Sequence, residues 1–151
     1  MNPYNMEEVN RVWQRVQGAN TGQQPERPGI RELAGQAWLA AGEYAALAER
    51  MSGQNAALLR HMAEEKRRGA ACLEGMLTLT GISRKAVESR RRREPVLSAL
   101  RRCFDRAVIT WRDYRAMEQD ETFGGAFGEL ADRERLHIAH LLALIGTAGK
   151  N

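Results

Sequence analysis

Four segments of this chain carry inward-type residues at alternating spacings of three and four, the signature of one helix face. The first stripe runs Ile30, Leu33, Ala37, Ala40, Tyr44, Leu47, Met51. The second runs Leu59, Met62, Lys66, Gly69, Leu73, Met76, Thr80. The third runs Leu97, Leu100, Phe104, Ala107, Trp111, Tyr114, Glu118, and the fourth Phe127, Leu130, Glu134, His137, Leu141, Leu144. Three of the four stripes turn small or charged near their middles, at Ala37, at Lys66 with Gly69, and at Glu134 with His137, and Ala107 of the third completes the same layer. A bundle built from these faces has an unusual central layer, and chemistry is to be sought there.

Breaker residues divide the stripes into elements. The first long helix is expected from about Gly29 to Met51, with Ser52-Gly53 as a tight turn and Asn55 as cap of the second. Gly81 is placed to stop the second helix after Thr80. A connection this short makes the two helices an antiparallel hairpin. Pro95 suits the first turn of the third helix, which reaches about Glu118. Asp120 to Gly125 reads as a turn with Thr122 as a cap, and the fourth helix ends at Gly146. Three regions follow: 1–28, a short amphipathic N-terminal helix (Met6, Val9, Val12, Trp13, Val16) and a linker; 29–146, the four-helix bundle; and 147–151, a frayed tail. The link from Ile82 to Glu94 reaches about 43 Å if extended, enough to cross a helix of about 35 Å. Length alone permits either a crossover or a simple up-down meander.

Composition agrees with an all-α domain: 43% hydrophobic, 28% charged, and only 4 prolines. No apolar run approaches the roughly 20 residues that span a bilayer, and the first residues lack the pattern of a signal peptide. The expected location is a bacterial-type cytoplasm, with no membrane partner. The net charge of +4 is mostly arginine, which on helix surfaces commonly pairs with nearby carboxylates. The run from Arg84 to Arg93, with Arg101 and Arg102, is the candidate for phosphate contacts, but it has no interleaved aromatic residues, which disfavours nucleic acid. Cys72 and Cys103 form no C-x-x-C pair and read as small buried hydrophobes beside the stripes.

Glu134 and His137 form a Glu-x-x-His pair on an otherwise apolar face. A buried carboxylate needs a partner. Lys66 occupies the matching layer of the second helix, so a buried Lys66–Glu134 ion pair is expected. Glu43, Glu64, Glu65 and Glu118 lie on the flanks or ends of stripes, and His61 and His140 lie off them.

The segments QAWLAAGEYAALAERM, LLRHMAEEKRRGAACLEGMLTLTG, LRRCFDRAVITWRDYRAMEQDETFGGAFGELA and DRERLHIAHLLALIG resemble the ferritin-like superfamily, in particular short rubrerythrin-like proteins. The resemblance implies an antiparallel four-helix bundle of two hairpins joined by a crossover, so that the second and third helices run parallel. It also implies a di-iron centre with a Glu on the first helix, Glu-x-x-His on the second, Glu on the third and Glu-x-x-His on the fourth. Carried over residue by residue, those positions fall on Ala37, on Lys66 and Gly69, on Ala107, and on Glu134 and His137. Only Glu134 and His137 match, as vestigial metal positions, and no rubredoxin module is present. The resulting expectation is a degenerate di-iron site, no cofactor, and a non-catalytic structural or binding role. A homodimer through helix faces is the partner arrangement left open, and no small-molecule substrate is identifiable. The alternative is a rubrerythrin-type oxidoreductase reducing peroxide or oxygen, or handling iron, at a di-iron site. It would require Glu43, Glu64 or Glu65, and Glu118 to join Glu134 and His137.

Overall fold

A computed structural model describes residues 29–81 and 94–148. The expected N-terminal helix, the Arg84–Arg93 run and the last three residues lie outside them. The described residues form α1 (Ile30–Glu49), α2 (Gly53–Thr80), α3 (Val96–Met117) and α4 (Gly124–Ala148), with no strand among them. No helix is long and apolar enough to cross a membrane among the described residues.

The stripes become the interior. Leu33, Ala37, Tyr44 and Leu47 of α1 are buried, as are Leu59, Met62, Leu73 and Met76 of α2 and Phe127, Leu130, Leu141 and Leu144 of α4. α1 packs on α2 and α3 on α4 as two extensive hairpins. Between the hairpins the contacts run from α1 to α3 and from α2 to α4. One apolar cluster joins the end of α1 (Tyr44, Leu47) to the starts of α2 and α3 (Leu59, Leu100) and the end of α4 (Leu141, Leu144). The other joins the start of α1 (Leu33) to the ends of α2 and α3 (Leu73, Tyr114) and the start of α4 (Phe127). Arg50, after α1, donates Nη2 to the Glu94 carbonyl oxygen just before α3, at 2.8 Å. So α2 and α3 begin at the same end and run parallel.

Several boundaries differ from expectation for local reasons. Gly53 takes φ 64°, which turns the chain early, so Ser52 rather than Asn55 stands at the N-cap of α2. Gly81 closes α2 at φ 73°, its N–H meeting the carbonyls of Leu77 and Thr78. Asp120, not Thr122, organises the α3–α4 turn: its Oδ1 accepts from the N–H groups of Thr122 and Phe123 at 2.9 and 2.8 Å. Gly146 stays helical and α4 continues to Ala148, since a glycine ends a helix only where it adopts a non-helical conformation. On α3 the buried line is Leu100, Cys103, Ala107, Thr110, Tyr114, while Phe104 and Trp111 are only half-buried. Those two rings close the seams beside the core rather than fill its axis. Cys72 is exposed, because inward Leu73 rotates its neighbour about 100° away.

Candidate functional site: a buried ion pair in the central layer

The two apolar clusters are separated by a polar layer. Lys66, Glu134 and His137 are 4%, 2% and 1% exposed, far below the ordinary exposure of such residues. The helical period places them there: Lys66 follows Met62 by four on α2, and Glu134 and His137 lie between Leu130 and Leu141 on α4. Lys66 Nζ donates to Glu134 Oε2 at 2.7 Å. The same ammonium stands 5.6 Å from the centre of the Tyr114 ring, on a face that attracts cations. Tyr114 in turn packs at 6.2 Å on Phe127, and Tyr44 meets His137 edge-on at 6.1 Å.

Burial and pairing oppose one another here. Burial pushes the Glu134 carboxyl up, but the adjacent Lys66 charge and then His137 outweigh it, and the carboxyl titrates below its ordinary value. Burial pulls the Lys66 ammonium down, but Glu134, and behind it Tyr114, hold it above its ordinary value. Both groups are therefore charged at neutral pH. Burial, reinforced by Glu134, also keeps the Tyr44 phenol protonated well past its ordinary range.

Of the positions assigned by the resemblance, Lys66, Glu134 and His137 meet, and the set does not make a metal cage. Ala37 and Ala107 are buried methyl groups at 1% and 2% exposure. A Cβ added at Gly69 would stand 3.2 Å from Leu130 Cδ2, so the space an imidazole would need there is partly taken by leucine. The Lys66 ammonium occupies Glu134 Oε2 at 2.7 Å. Two donors of six and one cation do not fit a di-iron centre.

The other carboxylates named from the sequence are held elsewhere. Glu43 accepts from Arg102 Nη1 at 2.8 Å, from Arg106 Nη2 at 3.0 Å and from the Cys103 thiol at 3.3 Å. Arg102 also binds Glu94. Burial, with the Glu43 charge, pushes the Cys103 thiol up to about 12, which keeps it unreactive. Glu64 pairs with Arg67 and Glu118 with Arg115, both near solvent. Glu65 does reach inward: its Oε2 lies 3.5 Å from His137 Nε2 and its Oε1 2.5 Å from His61 Nε2. Reading Glu65 as a solvated flank missed this, although the His61-x-x-x-Glu65 spacing puts the two side chains on one face. Thr110, buried at 4% exposure, was also missed.

No protein-family model, no curated protein and no solved structure matches this chain.

Proposed function

We propose that this chain is a ferritin-like, short rubrerythrin-like bundle in which a lysine–glutamate ion pair stands in place of a di-iron centre, and that its role is non-catalytic, structural or binding. The observation that carries the reading is the 2.7 Å Lys66–Glu134 contact, made by side chains only 5% and 3% exposed. An ammonium at that point supplies the positive charge that a buried carboxylate requires. The parallel course of α2 and α3 supports the ferritin-like part of the proposal, as does the buried Glu134–His137 pair on one face of α4. The peroxide-reducing alternative draws no support from Glu43, Glu64 or Glu118, whose carboxylates are engaged by arginines outside the core.

The test is elemental analysis of protein produced in iron- and manganese-rich medium. Far less than one metal ion of either kind per chain is expected. About two irons per chain would overturn the proposal and restore the oxidoreductase reading.

A further inference from the structure

Met6, Val9, Val12, Trp13 and Val16 recur at spacings of three and four, so the sequence puts them on one helix face. An apolar face of this kind calls for a surface to cover it. It precedes α1 and is joined to it by a linker, residues 18–28. Gly29 then leads into α1 at one particular end of the bundle. That end holds Leu33 of α1, the closing turns of α2 and α3, and Phe127 of α4.

The described residues leave this end incompletely covered. Leu79, in the last turn of α2, is 79% exposed, more than any other large hydrophobic residue described. Ile30 opens α1, Met117 closes α3, and Phe123 and Ala126 flank the start of α4. All four are half-buried and pack against the apolar cluster behind them. The other exposed large hydrophobics, Ile109, Leu136 and Leu142, stand on α3 and α4 two or more turns away. The dimensions agree. The linker reaches about 36 Å if extended, and the stripe is about 15 Å long as a helix. Helices packed about 8–10 Å apart make a four-helix end about 20 Å across.

We infer that the apolar stripe of residues 6–16 docks on this end of its own bundle, over Leu79 and the half-buried Ile30 and Phe123. The other stretches outside the described residues suit the place less. Residues 149–151 follow α4 at the opposite end. Residues 82–93 leave from Gly81 at the right end, but arginine and lysine dominate them, with Ile82, Ala86 and Val87 the apolar exceptions. A second copy of the chain would have to find the surface by collision, whereas the linker holds the stripe beside it at high effective concentration. Docking here does not depend on why Lys66 and Glu134 are paired.

Trp38→Phe with Trp111→Phe in the full chain leaves Trp13 as the one tryptophan, and circular dichroism checks that the bundle is intact. Acrylamide quenching of Trp13 is expected to be about threefold or more weaker than in the same protein unfolded in urea, because a docked ring is screened from the quencher. Adding Leu79→Asp, at a site too exposed to disturb the core, is expected to raise quenching about twofold or more, since an apolar contact is replaced by a charge. A second measurement leaves the tryptophans in place: Val9→Asp with Val12→Asp is expected to speed hydrogen exchange several-fold in the last turn of α2 and around Phe123. Trp13 quenched as fully as in urea would overturn the inference. So would shielding indifferent to Leu79→Asp, or exchange unchanged by the two aspartates. Shielding that disappears on dilution together with a sedimenting dimer would also overturn it, by placing the stripe on a second copy.

Discussion

Glu134 and Glu43 are both neutralised by cations from a neighbouring helix, but in different surroundings. Glu134 meets one ammonium, Lys66, in a layer with side-chain exposures of 3% and 5%. Glu43 meets two guanidinium groups, Arg102 and Arg106, at the bundle margin, with exposures of 19%, 29% and 24%. If one partner of the marginal cluster is lost, water can reach the other. If one partner of the central pair is lost, the remaining charge stays in the core. The pairs look alike in distance, yet the solvent behind them decides what each contributes.

The sharpest way to break this comparison is to load the central layer with like charges. The variant Ala37→Glu, Lys66→Glu, Gly69→His, Ala107→Glu, together with Glu134 and His137, rebuilds the six ligands that the resemblance assigns, four glutamates and two histidines. Without metal its melting temperature is expected to fall by about 10 °C or more, because carboxylates crowd a low-dielectric core and Leu130 must give way to the new histidine. Ferrous iron is expected to restore much of the loss, with about two irons per chain. A folded variant that binds no iron would refute the assignment of these positions.

The next effect is pH dependence. Glu134 titrates below its ordinary 4.5 in the folded chain, so its contribution is complete above that value and is lost as pH falls through the depressed folded value. Lys66 is raised above its ordinary 10.5, so its contribution is present below that value and is lost as pH rises through the folded one. Melting temperature is thus expected to hold across neutral pH and to drop in acid. Glu43 is also depressed, Arg106 and Arg102 together outweighing its burial, so part of the acid loss belongs to the marginal cluster. Lys66→Met with Glu134→Leu should flatten the acid limb only partly; a complete flattening would show that Glu43 contributes nothing.

Glu43→Ala comes third, with an expected loss of about 1–2 kcal/mol in urea denaturation. A loss equal to that of breaking the central pair would erase the distinction between the two regions. The smallest effect is at the surface: Arg67→Ala and Arg115→Ala remove partners of Glu64 and Glu118 and should each cost under about 0.5 kcal/mol.

The helices and the inward positions of α1, α2 and α4 were legible because the helical period ties spacing to face. Spacing alone put Lys66 on the inward face of α2 and Glu134 and His137 on that of α4, but did not reveal the helix offset that brings Lys66 to Glu134. On α3 the same rule was ambiguous: after Leu100 both Cys103 and Phe104 satisfy it, as do Thr110 and Trp111 after Ala107. Packing against α1 and α4 selected the smaller residue each time. The contacts of Glu65 were only half legible. His61 and Glu65 share a face by spacing, but their meeting with His137 depends on how far α2 and α4 are offset, which no local pattern encodes. The role of Arg102 was hidden for the same reason, since Glu43 and Glu94 reach it from separate parts of the chain.

The central claim is that Lys66 and Glu134 act as one buried unit. Urea denaturation of Lys66→Met, Glu134→Leu and the double variant tests it most directly. Each single change is expected to cost roughly 3–5 kcal/mol by stranding a charge, and the double change less than either, within about 2 kcal/mol of the parent. Losses that simply add in the double variant would contradict the account.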